Sequence, residues 1–173
     1  MNVLELFKPV TTIVFDVDGV LTDGSLLLMP GGVMARRMNI KDGYALQLAI
    51  KKGYHIVVIS GCYSPEVMDR LHKLGVDKVF MQVTNKVAVL TNYLLENNLK
   101  WEEVLYMGDD IPDLELLRKV ALSCCPKDAV EEIKEVSKYI SPIKGGYGCG
   151  RDVIEKVLKV RGHWSDDTHI RAM

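Results

Sequence analysis

The sequence predicts a doubly wound α/β sheet of parallel strands, on three observations. Short apolar runs rich in Val and Ile alternate with amphipathic stretches through nearly the whole chain, the pattern of parallel strands joined by helical crossovers. The runs are apolar without interruption, as strands buried on both faces must be. Acidic or small polar residues follow several runs directly, at Asp16 and Asp18, Ser60 and Gly61, and Asp109 and Asp110. In an open parallel sheet that is the end where ligands sit.

TTIVFD (11–16) is the first strand. DGYALQLAIKKG (42–53) is helical, with Ala45, Leu48 and Ala49 on one face and Gly53 as its stop. HIVVIS (55–60) is the next strand, and SPEVMDRLHKLG (64–75) a helix with Ser64 as N-cap and Pro65 in its first turn. KVF (78–80) is a short strand before NKVAVLTNYLLENN (85–98), a helix with Asn85 as its cap. The strand EVLYMG and helix IPDLELLRK follow, and VALSCC, AVEEIKEV, KYIS and GRDVIEKVLK complete the alternation.

One segment breaks the rhythm. Residues 24–39 read as two short strands around PGG, a β-hairpin inserted after strand one. Leu26, Leu27, Leu28, Met29, Val33, Met34 and Met38 give it more apolar surface than a free hairpin shows to water. The hairpin is therefore expected to pack on something, such as another subunit. From Arg161 to the end the chain is polar and unpatterned, a segment expected to fray. Residues 1–173 make a single domain.

Composition excludes several functions. With 22 basic and 23 acidic residues the net charge is -1, so no overall field draws the chain to nucleic acid or membrane. No apolar run approaches the roughly 18–20 residues of a membrane span, and MNVLELFKPV lacks the features of a secretory signal. A cytoplasmic location is expected. Cys62, Cys124, Cys125 and Cys149 have no CxxC spacing and the four histidines stand singly, which argues against zinc.

The chemistry begins at FDVDGVLTDG (15–24). Two carboxylates at a buried strand end repel each other unless a cation lies between them, and hard oxygen ligands suit Mg²⁺. One acid can then attack phosphorus, while the other protonates the leaving oxygen and later activates water. Gly19 permits the tight turn that brings amides to phosphoryl oxygens. Ser60 and Gly61 offer a hydroxyl and an unhindered N–H to a phosphate. Lys86 opens a helix where its cation and the helix dipole both favour one. Asp110 and Asp113 can serve as helix caps; Asp109 lies too far back for that and is the better metal-ligand candidate. Each feature taken singly is also an ordinary turn, cap or surface charge.

Together, DVDG, SG, a lysine and GDDxxD in this order resemble the haloacid dehalogenase superfamily of aspartyl phosphotransferases. The resemblance spans nearly the whole chain and implies that superfamily's Rossmann-like core. It implies Asp16 as nucleophile, Asp18 as general acid/base, Ser60 and Lys86 as phosphate holders, and Mg²⁺ bound by Asp16, Asp109 and the Asp18 backbone carbonyl. Asp113 belongs to the supporting acidic shell, as a partner for Lys86. Neither usual insertion point has room for a cap domain. DGVLTDG, the hairpin, NIKDGYAL and TNK are similar to the subfamily of 3-deoxy-D-manno-octulosonate 8-phosphate phosphatases. That similarity implies a Mg²⁺-dependent homotetramer of lipopolysaccharide synthesis acting on a small sugar phosphate, with hairpins meeting in a central barrel. It also implies a glycine-rich stretch, here Gly145–Asp152, that reaches a neighbouring site.

GGYGCGRD does not fit a dinucleotide fingerprint. Two positions depart from the subfamily pattern: Cys62 and Tyr147 stand where arginines are expected. Losing a guanidinium removes a bidentate carboxylate partner, so nine-carbon keto-deoxy acid 9-phosphates are the alternative substrates. Gly61, Cys62, Tyr147 and Arg151 are the expected substrate contacts, with Arg36 and Arg37 as further candidates for a substrate carboxylate. A signalling receiver domain also combines acids, Ser/Thr and Lys on an α/β sheet, but its phospho-acceptor follows the third strand, where MQVTNK has no Asp.

Overall fold

A computed structural model describes residues 2–171 and 173. Its strands are β1 (Thr12–Phe15), β2 (Leu27–Leu28), β3 (Met34–Ala35), β4 (His55–Ile59), β5 (Lys78–Phe80), β6 (Val104–Met107), β7 (Leu122–Cys125) and β8 (Tyr139–Ile140). The helices are α1 (Ile40–Lys51), α2 (Pro65–Lys73), α3 (Lys86–Glu96), α4 (Leu114–Lys119), α5 (Glu131–Val136) and α6 (Cys149–Val160). Six strands form one sheet in the order β5-β4-β1-β6-β7-β8, and every adjacent pair is parallel. The chain winds outward from β1 through β4 to β5, then crosses to β6 on the other side. That reversal leaves a crevice at the carboxyl ends of β1 and β6.

The strands are uniformly apolar because helices cover both faces. Ile13, Phe15, Leu105 and Met107 join Leu48 of α1, Leu71 of α2 and Ile154 of α6 in one core. Val14, Val57 and Tyr106 point the other way, onto Leu90 of α3, Leu116 of α4 and Ile133 of α5. Local signals place the helix starts: Ser64 and Asn85 accept hydrogen bonds from the amides of Val67 and Ala88. No cap domain follows any strand among the described residues. The insertion after β1 is the antiparallel β2–β3 hairpin, pairing Leu27 with Ala35 and Leu28 with Met34. Leu27 is 66% and Leu28 74% exposed. No helix is long and apolar enough to cross a membrane among the described residues.

Two expectations need correction. The segment after Arg161 lies back over α1 in place of fraying. The Tyr44 hydroxyl donates to the Ser165 carbonyl and accepts from the Asp167 amide, at 3.0 and 2.9 Å, while Trp164 and Ile170 pack on the core. Two apolar side chains and a half-buried phenol partner hold it, a signal too sparse to show as periodicity. The glycine-rich stretch, expected to reach a neighbouring site, is tied to its own chain. Gly146 donates to the Val20 carbonyl at 2.9 Å, and Gly145 to Asp128 Oδ1 at 2.9 Å.

Candidate active site

The crevice holds a cavity of about 310 Å³ lined by Asp16, Asp18, Ser60, Gly61, Cys62, Lys86, Asp109 and Asp113, among others. Residues far apart in sequence meet there because the strand ends converge. Asp16 directly follows β1, and the chain then makes a wide turn over Val17–Leu21, closed by the Thr22 amide on the Val17 carbonyl at 3.0 Å. Gly19 sits in this turn at φ 81°, and a Cβ there would overlap the Asp109 carboxylate. The left-handed φ and this close approach together favour glycine, because any other residue would strain the backbone and displace the Asp109 carboxylate.

Lys86 opens α3 as expected but is no surface charge, being only 7% exposed. Its ammonium bonds Asp16 Oδ1 at 2.7 Å, Asp113 Oδ1 at 2.6 Å and the Tyr106 hydroxyl at 3.3 Å. Burial opposes its charge, but Asp16 and Asp113 together raise its pKa above the usual value. Asp113 is almost fully buried and fully engaged. It accepts from Tyr106 at 2.5 Å and from the amides of Asp109 and Asp110 at 2.9 and 3.4 Å. Asp110 accepts from the Ile111 amide at 2.8 Å, the capping alternative of the two read from sequence. Removing one member of such a buried charged cluster costs about 3–5 kcal/mol, because its partners stay buried without compensation.

Asp16, Asp109 and Asp113 each place a carboxylate oxygen within 4.8 Å of the others. Burial, then repulsion from Asp113, pushes Asp16 up to about 7 despite Lys86. Burial, then repulsion from Asp16 and Asp113, pushes Asp109 up to about 8. Three hard oxygen donors with more negative charge than one lysine offsets fit a divalent cation such as Mg²⁺. With Asp113 committed to Lys86, Tyr106 and two amides, Asp16 and Asp109 are the side chains that would hold it.

Asp18 turns toward the hairpin. The Arg36 guanidinium, its side chain 4% exposed, grips both carboxylate oxygens at 2.7 and 3.2 Å. Arg36, a candidate for a substrate carboxylate, is therefore engaged within the chain. Ser60 is buried and its Oγ accepts from the Cys62 amide at 3.2 Å. The exposed Cys62 stands with Gly61 on the cavity wall.

The structure does not bring Tyr147 and Arg151 to this cavity. They border a separate one of about 740 Å³ along α6, with Lys41, Lys156 and Lys159. The Arg151 guanidinium lies over the rings of Tyr44 and Trp164, 5.4 and 5.3 Å from their centroids, so the tail already occupies it. Sequence reading missed Tyr106 and Thr22. A tyrosine in a fully buried strand needs a polar partner for its hydroxyl, and that was the available signal. Thr22 Oγ1 accepts from the Gly19 and Gly24 amides at 3.3 and 3.2 Å, knitting the turn together. A buried threonine of this kind has no distinguishing spacing.

The family model for haloacid dehalogenase-like hydrolases matches residues 79–145. The chain is 35% identical to a solved probable YrbI family phosphatase from Pseudomonas syringae pv. phaseolica 1448a, covering 93% of this chain and 92% of that one at a TM-score of 0.90. It is 29% identical over 161 residues to the 3-deoxy-D-manno-octulosonate 8-phosphate phosphatase of Escherichia coli strain K12, across 93% of this chain and 86% of that protein. The enzyme of that name from Moraxella catarrhalis, solved with a magnesium ion, a phosphate ion and a KDO molecule, is 28% identical. The match covers 91% of this chain and 90% of that one, at a TM-score of 0.87.

Proposed function

We propose, since the chain belongs to the haloacid dehalogenase-like hydrolases and is a phosphoric monoester hydrolase, that its substrate is a 2-keto-3-deoxy sugar acid phosphate. The best candidate is 3-deoxy-D-manno-octulosonate 8-phosphate, the substrate in the names of several relatives. The observation that carries the reading is the Asp16–Lys86–Asp113 cluster facing Asp109 and Asp18 across one small cavity.

In this reading Asp16 attacks phosphorus and forms the aspartyl-phosphate P–O bond. The ester P–O bond breaks, and Asp18 gives the leaving oxygen its proton. Asp18 then takes a proton from water as that water attacks phosphorus, freeing Asp16 and inorganic phosphate. Lys86 orients Asp16, and the Ser60 hydroxyl and Gly61 amide hold the phosphoryl oxygens. Both Asp18 oxygens accept from Arg36, so Asp18 takes up and gives its proton only when this pair opens and frees one oxygen toward the leaving group. Mg²⁺, when bound, offsets the charge of Asp16, Asp109 and the phosphate.

Turnover should be measured on a panel of phosphorylated eight- and nine-carbon keto acids. The highest kcat/KM is expected for the eight-carbon 8-phosphate, with activity lost on chelating the metal. Cys62, at the cavity wall where the resemblance expects arginine, favours the nine-carbon 9-phosphates as the second reading. Absence of phosphate release from every member would overturn both.

The working form is proposed to be a homo-oligomer, a tetramer by resemblance, with the hairpin as its contact. The support is the apolar face of Leu26, Leu27, Leu28, Met29, Val33 and Met34, each 44–74% exposed. Replacing Leu27 and Met34 with Asp should reduce the mass seen by light scattering and lower sugar-phosphate turnover more than aryl-phosphate turnover. A parent chain that is monomeric and fully active on the sugar phosphate would contradict this.

A further inference from the structure

Asp42 lies outside the catalytic cavity, yet it is a carboxylate only 3% exposed. Its Oδ1 accepts from the Arg151 amide at 2.6 Å, while Oδ2 has no partner among the described residues. Burial pushes the carboxyl up to about 6 even with that amide bound. An acid kept at such cost calls for a function, and its position supplies one. Helix α6 begins after Gly148, which has no side chain to cap it. Asp42, from the first turn of α1, takes one of the free amides in the first turn of α6. It thereby fixes where α6 begins.

The chain just before α6 is wedged beneath the catalytic turn. A Cβ at Gly145 would overlap the Gly19 carbonyl, and one at Gly146 would overlap the backbone of Thr22 and Asp23. The Val20 carbonyl accepts both the Gly146 amide, at 2.9 Å, and the Cys149 thiol, at 3.2 Å. The glycines are there for close approach. Behind them, Asp128 holds the Gly145 amide, and the Val130 amide donates to the Asp109 carbonyl at 3.0 Å.

We propose that Asp42 is a positioning residue: by capping α6 it seats the Gly145–Gly146 wedge against the Val17–Leu21 turn and so aligns Asp16 and Asp18. The proposal rests on the phosphatase reading of those two acids. Misplacing reacting groups by about 1 Å can cost on the order of 10²-fold in rate. Asp42→Ala should lower kcat for an aryl phosphate about tenfold or more, with KM changed less than twofold. Asp42→Asn, whose amide oxygen can still accept from Arg151, should recover most of that loss. Hydrogen exchange at the Thr22 and Gly146 amides should accelerate in Asp42→Ala and not in Asp42→Asn.

Leu71→Ala, a truncation in the same core, should lower Tm at least as much while keeping kcat. If Asp42→Ala does not fold, Asp42→Glu, which keeps the charge but shifts the oxygen by a methylene, should show the same losses. Parental kcat and exchange in Asp42→Ala, or in Asp42→Glu where Asp42→Ala does not fold, or an equal kcat loss in Leu71→Ala, would overturn the proposal. A parent chain that releases no phosphate would overturn the phosphatase reading instead, and the exchange measurement would still decide whether Asp42 holds the turn.

Discussion

Asp16→Asn is expected to reduce phosphate release by roughly 10³-fold or more, about 4 kcal/mol of transition-state stabilisation. An amide is a poor nucleophile and a poor partner for a cation, so the variant loses both contributions at once. The side chains are nearly the same size, and Lys86 keeps Asp113 as a charged partner at 2.6 Å, so the fold should survive. Asp18→Asn should cost about 10²–10⁴-fold, the usual range for a lost general acid/base. Phosphate release by folded, Mg²⁺-saturated variants, checked by circular dichroism, measures both. Near-parental turnover in Asp16→Asn would remove it as the nucleophile, whatever the fate of Asp18.

Adding Mg²⁺ is expected to raise the melting temperature, and Asp109→Ala to abolish the rise. A cation at 100 times its Kd stabilises the native state by about 2.7 kcal/mol, which in a domain of this size amounts to about 5–10 °C. The pH dependence follows from the raised carboxyls. Asp16 and Asp109 move from 3.8 to about 7 and about 8 on folding. Without metal, the native state therefore holds more protons than the unfolded chain between roughly pH 4 and 8. Their contribution to stability is complete below pH 4 and is lost as pH rises toward 8. Mg²⁺ replaces those protons, so its stabilising effect should be greater at pH 8 than at pH 6. Differential scanning fluorimetry across that range tests the sign. A rise of equal size in Asp109→Ala would take Asp109 out of the metal site.

Much of this protein is legible residue by residue. The uninterrupted apolar runs require strands covered on both sides, and Ser64 and Asn85 place two helix starts by accepting from first-turn amides, Pro65 fitting its first turn because it has no amide to leave unpaired. Acids, glycines and a lysine just after apolar runs mark one end of the sheet as the reactive end. These are local signals, set by the covalent chain and its hydrogen-bonding needs within a few residues. The residues they single out, Asp16, Asp18, Ser60, Gly61, Lys86 and Asp109, line one cavity, whereas Tyr147 and Arg151, expected as substrate contacts, border another.

What the tertiary structure decided is which partner each polar group meets. Lys86 is a buried strut between Asp16 and Asp113 because α3 begins beside the end of β1. Arg36 reaches Asp18 from the hairpin, and Arg151 is turned away onto Tyr44 and Trp164 by a tail that has no periodicity of its own. Gly145 and Gly146, expected to reach a neighbouring site, lie against the catalytic turn of their own chain, where a Cβ would overlap its backbone. A sequence records the kind of each group and its spacing along the chain. Pairings across more than a hundred residues, such as Asp42 with Arg151, depend on how sheet and helices pack, and that is where burial assigns each charge its cost and its partner.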